Sequence, residues 1–287
     1  MPFRIPAAAL LAALLAAAPA SAKVWDQQWE VSGRPAVVVT VSDAHVRIHA
    51  GDAHTVTAHV LHEYHRWGLV TGTPDPDVVF SRSGDEIHVE VHEHAWFTLF
   101  GGISERLTVD VTVPPASDLS VRTGDGAVDC EPVSGHVRIA TGDGALRARG
   151  LRGDLDLSTH DGGLDADDLD GSLRAHTGDG HLRVSGRFDR LELASGDGRL
   201  EAVVMPGSKL ADDWSVHTGD GSLSLRIPSR LQALLDARSN DGHLNVDLPI
   251  EVRGALAHEQ LTGRLNGGGP TLLVRSGDGA ITLGLSD

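Results

Sequence analysis

The chain has 287 residues, with 24 Lys and Arg against 40 Asp and Glu, a formal net charge of −16 and one cysteine. That balance lacks the cationic footprint a phosphate backbone requires, so no nucleic-acid partner is expected, and one cysteine excludes an intramolecular disulfide framework. With 34 glycines and 4% aromatics, the composition points to many turns and a core of small aliphatic side chains.

Residues 1–22 read as a secretory signal: Arg4 in a short basic region, an Ala/Leu run from Ala7 to Ala18, and Ala20-Ser21-Ala22 as a small-residue cleavage site. The mature protein is expected to begin near Lys23 and to be periplasmic or secreted. The apolar run is too short for a spanning helix and no second one follows, so no transmembrane segment is expected after signal removal.

Residues 23–115 form an N-terminal β region, read as opening coils or a cap. Alternating strands are predicted at Val37–Val41, His45–Ile48, Thr55–Ala58, Ile87–Val91 and Leu107–Val111, before Pro114-Pro115 closes the region. Nine of the 16 histidines lie between His45 and His94. With Ile87, Val89 and Val91 inward, His88, Glu90, His92 and His94 share the outer face. His88, His92 and His94 are therefore candidate Zn²⁺ or Cu²⁺ ligands if a neighbouring strand supplies more imidazoles. Solvated alternation gives the same pattern without metal. Trp96, Phe97, Leu99, Phe100 and Ile103 form the one aromatic-rich segment, expected to fold over the first coil.

Residues 116–287 carry a repeat. TGDG occurs at Thr123, Thr141, Thr177 and Thr218, SGDG at Ser195 and Ser276, THDG at Thr159 and SNDG at Ser239. The first four steps between copies are 18 residues; the later ones lengthen to 23, 21 and 37. Residues two and four before each Thr or Ser, and two and four after each last glycine, are apolar. Period-2 patterning on both sides of a turn marks strands with one buried face. Cys130 falls in one of these apolar columns and reads as packing. The second turn position holds Gly, His160 or Asn240, which predicts a left-handed backbone there. The invariant fourth glycine implies either a special conformation or backbone packed too closely for a Cβ. A second bend falls half a period away, at Gly135, Gly153 and Gly171.

A unit this short cannot bury its own apolar face, so the units must stack. The predicted fold is all-β: a single-stack β-solenoid (parallel β-helix or roll) with roughly 18-residue coils and an N-terminal β cap. An antiparallel meander would leave one apolar face bare, and a membrane barrel needs longer strands and aromatic girdles. Stacking aligns Asp125, Asp143, Asp161, Asp179, Asp197, Asp220, Asp241 and Asp278 in one column. Such a row of carboxylates is a candidate Ca²⁺ ladder, although Asp in a turn also serves simply by accepting local hydrogen bonds.

The Val46-Arg47-Ile48 and Val56-Thr57-Ala58 strands, the stretch LTVDVTVPP from Leu107 to Pro115, the Thr/Ser-x-Asp-Gly turns and the ending Leu272–Ile281 occur in the order of a known family. In these features the chain resembles the bacterial β-strand-repeat domains labelled "putative adhesin", a family of unknown function. The resemblance implies a secreted or envelope-associated β-solenoid and supplies no catalytic residues.

The resulting expectation is an exported, non-enzymatic structural, binding or adhesion module of the cell envelope, contacting an envelope glycan or protein through an extended face and using no cofactor. The alternatives are a Ca²⁺- or Zn²⁺-dependent envelope protein and, third, a carbohydrate-active enzyme; the chain shows no nucleophile motif or phosphate-cradling loop.

Overall fold

The computed structural model describes residues 21–71, 75–93, 97–252 and 259–287, and every regular element among them is a β-strand. The predicted signal up to residue 20, His94 and Trp96 lie outside these residues. Before the repeats come β1 (Ser21–Glu30), β2 (Ala36–Val41), β3 (His45–Ala50), β4 (Thr55–Thr71), β5 (Asp77–Ser83), β6 (Glu86–His92) and β7 (Phe97–Val113). The repeats form β8 (Asp118–Thr123), β9 (Val128–Cys130), β10 (Ser134–Thr141), β11 (Leu146–Arg149), β12 (Arg152–Thr159), β13 (Leu164–Thr177), β14 (Leu182–Ser195), β15 (Leu200–Val204), β16 (Trp214–Thr218), β17 (Leu223–Ile227), β18 (Ala233–Ser239) and β19 (Leu244–Val246). β20 (Ile250–Val252), β21 (Gln260–Leu265), β22 (Thr271–Ser276) and β23 (Ile281–Leu285) follow.

The 18-residue repeat becomes a parallel register that aligns the core columns, with one slip at the corner of β13 and β14, where Leu169 pairs with Gly186 and Gly171 with Phe188 before Ser172 pairs with Arg190. Leu119 of β8 pairs with Val137, Val137 with Leu155, Leu155 with Leu173, and Leu173 with Leu191. Beyond the turn, Val128, Leu146, Leu164, Leu182 and Leu200 pair in the same way. Each coil therefore contributes one strand to a first face and one to a second, and the apolar columns of both faces are buried in one continuous core. The result is all-β and solenoid-like. Each fully buried Leu or Val in these columns contributes about 1.5–3 kcal/mol by leaving water. The strands β13 and β14 bend through the corner opposite the Asp-Gly turns, where Gly153 and Gly171 have φ of +114° and +126°.

The left-handed expectation for the second turn position is incorrect. None of Gly124, Gly142, His160, Gly178, Gly196, Gly219, Asn240 and Gly277 has positive φ. Its N–H instead donates to the matching carbonyl of the adjacent coil, as in Gly142 N to Gly124 O (2.6 Å), His160 N to Gly142 O (2.9 Å) and Asn240 N to Gly277 O (2.9 Å). The fourth position is glycine because the coils touch there. A Cβ on Gly144, Gly162, Gly180, Gly198, Gly221 or Gly279 would collide with the carbonyl of the matching glycine next door. The Thr or Ser that opens each turn is buried, and its hydroxyl donates to these carbonyls: Thr141 to Gly126 O (3.0 Å), Thr159 to Gly162 O (2.6 Å), Ser239 to Gly279 O (3.0 Å). The hydroxyl thus satisfies a carbonyl that is shut away from water.

Spatial order departs from chain order at both ends. On the first face β2 lies between β6 and β8, and on the second β3 lies between β7 and β9. At the other end β22 lies between β16 and β18, and β23 between β17 and β19. The chain crosses these inserted coils at Pro114–Ser117 and Pro228–Gln232, and proline suits a segment that cannot join a strand ladder. Antiparallel strands flank the outermost coils: β5 on β6, β4 on β7, β1 on β4, β21 on β18 and β20 on β21.

Candidate functional site: a groove across the coils

In-register parallel stacking places equivalent side chains about 4.8 Å apart, so identical charges would repel along every outward row. One row on each face avoids this by alternating sign, whereas the turn aspartates keep their charge in solvent. On the second face the row runs Asp110, Arg47, Asp129, Arg147, Asp165, Arg183, Glu201 across adjacent strands. Arg183 bridges Asp165 at 3.2 Å and Glu201 at 3.1 Å. On the first face the row is Arg138, Asp156, Arg174, Glu192. Arg138 reaches Asp156 at 3.0 Å and Arg174 reaches Glu192 at 2.7 Å. The hydrogen bond to Glu192 holds the Arg174 guanidinium still more firmly in its charged form.

This first-face row forms one wall of a groove of 540 Å³ running perpendicular to the strands. The other wall, nearer the corner, carries Asp118, His136, Asp154, Ser172, Arg190 and Asp212. Its side chains are also paired: Arg34 bridges Asp118 (2.9 Å) and Arg190 bridges Asp212 (2.8 Å), while the His136 ring lies 3.1 Å from the Asp154 carboxylate. Strands β2, β8, β10, β12, β13 and β14 supply successive rungs, so the groove spans five strand spacings, about 24 Å. Beneath it run the buried residues Leu119, Val137, Leu155, Leu173 and Leu191. The groove thus offers an extended molecule laid along it evenly spaced rungs, apolar at Ala36 and Val38 and polar with changing sign from β8 to β14, over a buried apolar floor.

All eight turn aspartates are exposed and aligned along the ridge joining the two faces. The ridge continues to Asp43 in the β2–β3 turn, whose Oδ1 accepts the Asp125 backbone N–H at 3.1 Å. His88 and His92 lie on the outer face of β6, beside Glu86 (3.1 Å) and Glu90 (3.5 Å). The strands on either side put Val38 and Ser81 next to His88, and Asp77 next to His92, so neither neighbour adds an imidazole. Among the described residues, no group of three or more His, Cys, Asp or Glu side chains is placed to hold a metal ion. The aromatic-rich segment enters β7, but the side chains of Phe97, Leu99, Phe100 and Ile103 lie outside those described.

The groove was legible in the sequence through one signal: Arg138, Asp156, Arg174 and Glu192 recur at 18-residue steps with alternating sign. Aligning the turns on their aspartates draws attention to the like-charged column and away from these rows. The ninth turn, Ser42-Asp43-Ala44, lacks glycine and escapes the Thr/Ser-x-Asp-Gly pattern.

Parallel 18-residue coils with Asp-Gly turns and a lateral groove define a repeat protein built to display an extended face. The chain belongs to the Toastrack DUF4097 family, a family of unknown function, whose model matches residues 36–283. No curated protein matches it. The chain is similar to a solved "putative lipid binding protein" from Parabacteroides distasonis at 12% identity, covering 91% of this chain and 96% of that one, with a TM-score of 0.47. It is also similar to a "putative adhesin" from Parabacteroides merdae at 9% identity (91% and 96% covered, TM-score 0.39) and to a "putative cell adhesion protein" from Clostridium sporogenes at 11% identity (92% and 100% covered, TM-score 0.28). At these scores the likenesses carry no argument about function.

Proposed function

We propose that the protein is an exported, non-enzymatic binding module of the bacterial cell envelope, and that its ligand is an extended, repeating polar chain such as an envelope glycan held along the first-face groove. The groove's length carries this reading: beyond the apolar Ala36–Val38 rung, five evenly spaced rungs from β8 to β14 each offer polar side chains above an apolar floor, so small contacts add along an extended ligand. The paired charges favour a neutral or mixed-charge ligand over a polyanion, since Asp118, Asp154, Asp156, Glu192 and Asp212 outnumber Arg138, Arg174 and Arg190. In this reading residues 1–22 direct export, and the coils form a single stack with the antiparallel strands of the N-terminal region capping one end.

The test is a glycan array and cell-wall pull-down with the mature protein, beside Ser172→Trp, which fills the groove, and Ser224→Trp, which places the same bulk on the second face. Retention lost in the first variant and kept in the second is the expected result. Equal retention by both variants, or no retention by the unsubstituted protein, overturns the groove as the ligand site.

A further inference from the structure

We propose that the C-terminal coil, β22 with β23, is an exchangeable rung that a second copy of this chain can donate, joining two molecules by strand exchange. This coil follows β18 and β19 in the chain yet lies inside them. Leu272 is paired with both Trp214 and Leu235, Val274 with Val216 and Ala237, and Ile281 with Leu223 and Leu244. The slot it fills is lined by strands of the same repeat, so any copy of β22–β23 fits it with the same contacts. Leu272, Val274, Ile281 and Leu283 are each 0–1% exposed, which makes the coil a full member of the core. A slot left empty would expose the facing strand edges of β16–β17 and β18–β19, and such edges recruit strands.

The tether supports exchange. Between Leu265, paired with Ala233, and Thr271, paired with Leu234, the chain doubles back across the start of β18. Asn266, Gly267 and Gly268 stand at φ of +49°, +89° and +90°, followed by Gly269 and Pro270. Opening this compact turn costs the hydrogen bonds from Asn266 Nδ2 to Ser229 O and Leu231 O (2.8 Å each), while its glycines accept an extended backbone with no side-chain clash. Extended, the five linker residues reach about 17 Å, several strand spacings. Exchange then replaces each contact with its equal from the partner copy, the condition under which identical elements swap at little cost.

The test uses the full mature chain carrying Ser215→Cys or Leu273→Cys, outward-facing residues paired across β16 and β22. Adjacent strands bring their Cα atoms within disulfide range. Every variant also carries Cys130→Ala, because Cys130 is buried only once the chain has folded and refolding starts from a state that exposes it. The double variant, refolded dilute, should close a disulfide within one chain. The two single variants, refolded together at high concentration, should form a mixed disulfide-linked dimer whose yield rises with concentration, while each alone should not. A double variant that cross-links internally beside single variants that never form the mixed dimer overturns the proposal. Failure of the double variant to cross-link overturns the insertion of β22 on which it rests.

Discussion

Replacing Gly162 with Ala tests the reason for the invariant fourth glycine. A Cβ there would stand 2.0 Å from the carbonyl oxygen of Gly144 and 2.7 Å from its carbon, both backbone atoms in an adjacent coil. Ordinary contact needs at least about 3.4 Å, so the two coils must part by more than an ångström at the turn. The rungs on either side of the clash, His160 N to Gly142 O and Leu146 N to Gly163 O (2.9 Å each), lie in the strained region. Overpacking costs about 1–3 kcal/mol, and weakening two hydrogen bonds adds about 0.5–1.5 kcal/mol each, for a total of about 2–6 kcal/mol. In a chain of this size that lowers Tm by about 4–12 °C. Gly142→Ala is the comparison: its Cβ meets Gly124 O at 2.8 Å, and the same turn position already tolerates His160 and Asn240. Gly163→Ala meets only the exposed His181 ring, which can rotate away. Urea and thermal unfolding followed by circular dichroism should rank the losses Gly162 above Gly142 above Gly163. A Gly162→Ala protein as stable as Gly142→Ala would refute the close-approach explanation.

Arg183→Glu places three acids in succession beside Asp165 and Glu201 and should cost about 1–2 kcal/mol, a loss that shrinks in high salt. Glu93 lies in the β6–β7 link, where burial first, then Asp43 and Glu105, push its carboxyl above the ordinary range. A carboxyl raised on folding stabilises only while protonated, so its contribution is lost as pH rises through the folded value. Glu93→Gln should therefore raise Tm at neutral pH and match the unsubstituted protein near pH 3. Asp236 is the opposite case: a hydrogen bond from Arg275 at 2.8 Å is the largest influence holding its carboxyl low. Its stabilisation is present above the unfolded value and lost as pH falls through the lower folded one, so Asp236→Asn should remove stability at pH 7 and leave it unchanged in strong acid. EDTA should leave Tm unmoved if the ridge aspartates stay solvated without a cation; a saturable rise with added Ca²⁺ would instead support the ladder.

The parallel coils were readable because period-2 alternation and an 18-residue step constrain the register of the core columns between residues 119 and 200, apart from the slip at the β13–β14 corner. Sequence also identified Cys130 as core, since its column holds Ala148, Ala166 and Val184. The insertions of β2–β3 and β22–β23 were not legible: every coil carries the same columns, so local pattern cannot distinguish one neighbour from another. The turn glycines misled for a related reason. Glycine signals both positive φ and close approach, and only the position of the next coil separates the two. The groove rows escaped because Arg138 and Glu192 are ordinary surface charges until stacking sets them in line.

An extended binding site on the first face makes ligand affinity depend on ligand length. Using a size series of the oligosaccharide selected on the array, titration calorimetry should show affinity rising with each added unit and levelling off once the chain spans about 24 Å, the width of six rungs. Affinity that is already maximal for a single unit, or that rises without a plateau and is unaffected by Ser172→Trp, would contradict it.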